Sequence, residues 1–118
     1  MSRSIAWKNI TVIDVRETNE LITEGKITGT KNLPLHVIET GQLNWLDEHS
    51  FEKVYGFRKI KKTDSIVVVS KYTKGAARAA EFLWNSGYKR VRIYHGGFED
   101  WKKHGGKLRE WKVKGKQI

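Results

Sequence analysis

Three short apolar runs punctuate the chain: TVIDV at 11–15, SIVVVS at 65–70 and RVRIY at 90–94. Each is rich in β-branched residues and bounded by turn formers, a pattern that predicts buried strands. The unbroken IVVV in the middle run predicts a strand covered on both faces, which favours a parallel sheet. Helical patterns alternate with the strands. From Gly75 to Ser86, Ala76, Ala79, Ala80 and Leu83 share one face, and Gly87 stands where a C-terminal cap would fall. Residues 42–54 carry helical spacing in Leu43, Leu46 and Phe51, and FEDWKKH follows the Gly96-Gly97 pair. Strand and helix in this order imply right-handed crossovers and a three-layer α/β sandwich, with a parallel sheet of four or five strands.

That architecture has a consequence for chemistry, because open parallel sheets bind ligands at the carboxyl ends of their strands. Asp14 to Arg16, Ser70 to Ala76 and His95 to Gly97 each follow a strand, so they are expected to gather on one edge. The stretch IVVVSKYTKGAARAA therefore aims Ser70 at the start of a helix.

Composition narrows the chemistry. A chain of 118 residues is expected to form one domain with a real core. There is no cysteine in it, which removes disulfides, thiolate metal sites and cysteine nucleophiles. No apolar run reaches the roughly 20 residues of a membrane span, and MSRSIAWKNI lacks the apolar stretch of a secretory signal. The compartment is not otherwise marked; an intracellular, cytoplasmic location is the default. Four histidines, His36, His49, His95 and His104, are scattered without metal-ligand spacing, so no metal and no cofactor is expected.

The formal net charge is +10, and the segment Lys102–Ile118 supplies six of those charges, with seven Lys or Arg against Glu110 alone. Residues 107–118 read as a basic C-terminal tail that keeps the protein soluble. Contact with an acidic partner, a membrane surface or nucleic acid is the more distant reading, and no nucleic-acid motif accompanies the charge.

Several segments together resemble the rhodanese family of sulfurtransferases. IDVRETNEL at 13–21 is similar to that family's Asp-x-Arg opening motif, and EGKITGTKNLPL at 24–35 resembles its second motif, with Gly25, Ile27, Gly29, Asn32 and Pro34 matching and Lys26, Thr28 and Thr30 departing. AARAAEFLWNSGYKRVRIYHGGFEDWKKHGG at 76–106 matches its last third. The resemblance implies a rhodanese-like domain over residues 1–106, its first strand-helix unit abbreviated.

In the family, a loop reading roughly Cys-Arg-x-Gly-x-Arg-Ser cradles a cysteine with backbone N–H groups and a helix start. The field lowers the thiol pKa from about 8.5, so the thiolate attacks a sulfane sulfur and carries it as a persulfide to a thiophilic acceptor. Aligned by the helix, Ser70 takes the cysteine position, Lys71 the first Arg, Thr73 the Gly, Gly75 the second Arg and Ala76 the Ser. A hydroxyl is far less acidic than a thiol and needs a positioned base to attack. The resemblance thus implies a catalytically impaired domain, a pseudoenzyme used as a binding or regulatory module. Asp14 and Arg16 would support the loop, while Lys71, Tyr72, Thr73, Lys74, Gly75 and Ala76 would take a small anion or an acidic side chain of a protein partner. Departures at Thr73 and Gly75 go beyond a single Cys→Ser exchange. The alternative is an active thiosulfate sulfurtransferase by family membership. A Ser70–His95–Asp14 triad is a third reading, disfavoured because VVSKY is no G-x-S-x-G elbow.

Overall fold

A computed structural model describes residues 10–26, 29–94 and 97–103. Its strands are β1 (Thr11–Asp14), β2 (Lys31–Asn32), β3 (Ile66–Val69) and β4 (Val91–Ile93). The helices among the described residues are α1 (Thr18–Glu24), α2 (Leu35–Glu39), α3 (Gln42–Trp45), α4 (Glu48–Tyr55), α5 (Thr73–Asn85) and α6 (Gly97–Lys103). The strands form one sheet in the order β2-β1-β3-β4, and every pairing is parallel. The fold is thus the expected α/β sandwich, with four strands among the described residues.

Alternation along the strands sorts their side chains onto two faces. Ile13, Ile66 and Val68 join Val37, Phe51, Ala76, Ala79, Ala80 and Leu83 in one buried cluster, so α2, α4 and α5 cover that face. Val12, Val67 and Val69 pack with Tyr94, Phe98 and Trp101, so α6 covers the other. All four residues of β3 are buried, as IVVV predicts for a strand with a helical layer on each side.

Boundaries move for local reasons. The predicted helix over 42–54 breaks into α3 and α4, because Leu46 is extended and Asp47 starts a new helix by accepting from Ser50 N–H at 2.8 Å. The helix predicted from Gly75 begins two residues earlier, at Thr73, and stops at Asn85. Its end is a Schellman closure: Tyr88 N–H donates to Leu83 O and Gly87 N–H to Trp84 O, each at 3.0 Å. Gly87 takes φ +105° there, a value that L side chains resist.

β2 did not stand out in the sequence. It is two residues long, and it is held by Asn32, whose amide donates to the carbonyls of Asp14 and Arg16, both at 2.9 Å. The first strand-helix unit, expected to be abbreviated, and the expected basic tail at 107–118 lie outside the described residues, apart from Ile10. Among the described residues no helix is long and apolar enough to cross a membrane.

Candidate functional site

The register sets Asp14 at the carboxyl end of the sheet, between Asn32 on β2 and Val69 on β3. Asp14, Arg16 and the segment after Val69 therefore share one edge, as the topology demands. His95 and Gly96 fall outside the described residues, so the third segment is represented there by Gly97.

Asp14 and Arg16 are both 1% exposed and bind each other. The Asp14 carboxylate accepts from Arg16 backbone N–H at 3.1 Å, from Nε at 3.1 Å and from Nη2 at 2.8 Å. Nη2 also donates to Gly25 O at 2.8 Å, and the guanidinium carbon lies 3.3 Å from the Phe98 ring centre. A guanidinium is weakly hydrated and stacks on aromatic faces, which suits it to this dry position better than an ammonium. Arg16 thereby ties β1, the end of α1 and α6 together.

Ser70 leaves the sheet after Val69 and is half-buried. Only Ser70, Lys71 and Tyr72 lie between β3 and α5. Tyr72 is the extended residue before the helix, its side chain 69% exposed and making no cap. Its carbonyl accepts from Gly75 N–H at 3.1 Å and Ala76 N–H at 3.4 Å, so those two donors are committed inside the helix. Thr73 and Lys74 belong to the first helical turn, Lys74 exposed, while Ala76 is buried against the core.

Two glycines let this segment pack as it does. A Cβ on Gly75 would lie 2.7 Å from Ser70 Oγ, so the serine side chain rests in the space that Gly75 leaves. A Cβ on Gly97, at φ +78°, would lie 2.2 Å from Lys71 O, so the start of α6 presses directly on the loop backbone.

Lys71 does not stand free. Its Nζ donates to Glu24 Oε2 at 2.9 Å, and Glu24 Oε1 lies 3.7 Å from Arg16 Nη1. The hydrogen bond from Lys71, with the charges of Lys71, Arg16 and Lys102 behind it, holds the Glu24 carboxyl below its ordinary value, although partial burial opposes this. The same hydrogen bond raises the Lys71 ammonium. Glu24 was not singled out in the sequence, because the two partners are 47 positions apart and neither carries a local signal for the other. A surface cavity of 630 Å³ opens beside β2, lined by residues that include Lys31, Asn32, His36 and Tyr55; none of Ser70 to Ala76 lines it.

A family profile described as the rhodanese-like domain matches residues 1–104. The chain belongs to the rhodanese-like domain family. Among curated relatives, this rhodanese-like chain is 34% identical over 94 residues to a mitochondrial protein of Schizosaccharomyces pombe with a provisional thiosulfate sulfurtransferase name, covering 80% of this chain and 64% of that one. It is 31% identical over 94 residues to a mouse protein named for thiosulfate sulfurtransferase and rhodanese-like domains, covering 80% and 59%. The chain thus spans under two thirds of the length of these two relatives. Among solved structures, the human single-domain sulfurtransferase superposes with a TM-score of 0.75 at 25% identity, covering 84% of this chain and 86% of that one. A Saccharomyces cerevisiae single-domain sulfurtransferase does so with a TM-score of 0.71 at 28% identity, covering 86% and 81%. The rhodanese-like domain is thus related to sulfurtransferases in both sequence and fold.

Proposed function

We propose that this rhodanese-like domain is catalytically impaired and serves as a binding or regulatory module, with Ser70 in the position of the family's persulfide-bearing cysteine. The observation that carries the reading is the lack of any cysteine in these 118 residues, at a site whose strand-to-helix scaffold is otherwise in place. A serine hydroxyl stays protonated near neutral pH and cannot carry a transferable sulfane sulfur. Asp14 is committed to Arg16, which supports a structural role for that pair rather than a place behind a catalytic histidine. The ligand of the module is a small anion, or an acidic side chain of a partner, met by the start of α5 ahead of Gly75 and by the lysines at 71 and 74.

The names of the relatives favour a second reading, in which the domain transfers sulfane sulfur from thiosulfate to a thiophilic acceptor. Incubation with thiosulfate and cyanide separates the two. The expected result is no thiocyanate above a boiled control, and clear turnover overturns the first reading. Ser70→Cys is expected to recover little activity, because Gly75 supplies no cation where the family has its second arginine. Titration with thiosulfate, followed by NMR, should move the amides of residues 70–76; unmoved amides remove the anion-binding part.

A further inference from the structure

Glu24 ends α1 with its carboxylate held between two cations of the site. Oε2 pairs with Lys71, whereas Oε1 and Arg16 Nη1 face each other at 3.7 Å, both buried and neither with a hydrogen-bond partner among the described residues. The carboxylate answers the guanidinium's charge at that distance without accepting its proton. Arg16 cannot move to close the gap, since Asp14, Gly25 O and the Phe98 ring already fix it. Lys71 is different: its side chain is 35% exposed and reaches Glu24 from the loop itself.

A carboxylate is a small anion of the kind the loop is proposed to take, and here the chain supplies its own. We propose that Glu24 is an internal anion that sets the ligand specificity of the loop by occupying Lys71, and that an external oxyanion binds only by drawing Lys71 away from it. The proposal rests on the anion-binding reading of the loop. Lys74, exposed and with no ion pair among the described residues, makes first contact with the ligand. Lys71 then exchanges one carboxylate for a ligand oxygen, while Glu24 stays beside Arg16 and its buried surroundings are undisturbed. Ligands with a single weak acceptor are held off by this competition, and dianionic tetrahedral oxyanions are favoured, since charge-assisted bonds strengthen with ligand charge.

The test is a thiosulfate titration at low ionic strength, followed by the NMR shifts of residues 70–76, on the wild type, Glu24→Gln, Glu24→Asp and the double variant Glu24→Gln/Lys71→Gln. Glu24→Gln keeps the shape and removes the charge, so it should bind thiosulfate about three- to fivefold tighter, the size expected on releasing a part-exposed ion pair. Glu24→Asp keeps a negative charge near Arg16 with a shorter reach to Lys71, and should show a smaller gain. In the double variant the gain should vanish. If the wild type binds and neither single variant binds more tightly, the role given to Glu24 is wrong and the anion-binding loop stands. If no form shifts the loop amides, the loop reading fails and the proposal with it.

Discussion

Replacing Asp14 by Asn should destabilise the domain by about 3 kcal/mol, the lower end of the range of about 3–5 kcal/mol for breaking a buried ion pair from one side. Asp14 accepts from three groups of Arg16, and both residues are 1% exposed, so water cannot substitute for a lost acceptor. An Asn amide keeps one oxygen for the backbone N–H and Nε but turns an NH₂ toward Nη2, setting donor against donor. Glu24 Oε1 at 3.7 Å from Nη1 and the Phe98 face offset part of the stranded charge, which places the estimate at the low end. For a domain of this size, about 3 kcal/mol should lower Tm by about 10–15 °C. Urea unfolding at pH 7 is the assay, with an unchanged m-value showing that stability rather than compactness has moved. Adding Arg16→Met should restore part of the loss, since the buried charge leaves with its partner. A loss under about 1 kcal/mol for Asp14→Asn would refute the picture of a dry, mutually dependent pair.

Two more predictions follow from the loop and the core. Gly75→Ala should destabilise by about 1 kcal/mol in the wild type, because its Cβ meets Ser70 Oγ at 2.7 Å. In a Ser70→Ala background it should instead stabilise by about 0.5–1 kcal/mol, the ordinary gain of Ala over Gly in a helix; additivity in the four-variant unfolding cycle would dismiss the contact. Burial raises the Tyr88 phenol above 10.0, with the Asp64 charge adding to it. Its contribution to stability is therefore complete below pH 10 and lost as pH rises through the folded value. Urea midpoints from pH 9 to 11 should fall less steeply in Tyr88→Phe than in the wild type, and identical slopes would count against it.

The sequence disclosed those parts of the fold that rest on periodicity. β1, β3 and β4 were legible as β-branched runs, and the buried face of α5 as Ala76, Ala79, Ala80 and Leu83, since local pattern and burial agree there. β2 was not, because Lys31 and Asn32 have no apolar alternation and their strand character comes from pairing with β1. The break before α4 was legible in principle, Asp47 being a good capping residue, but the spacing of Leu43, Leu46 and Phe51 concealed it. At the site, the gathering of Asp14, Arg16 and the loop followed from topology alone. The engagement of Lys71 by Glu24 did not, because a pairing across 47 positions is a property of the folded surface and of no segment within it.

Among the described residues the sheet is widest at its centre: β1 and β3 have four residues each, while the outer strands β2 and β4 have two and three. An edge of two residues, one of them the exposed Lys31, offers an incoming strand almost no ladder to extend and sets a charge against its approach. The other edge carries Arg92 at its middle position. Among the described residues, both outer strands are thus short and carry a charged residue, features that discourage edge-to-edge pairing between copies of the domain.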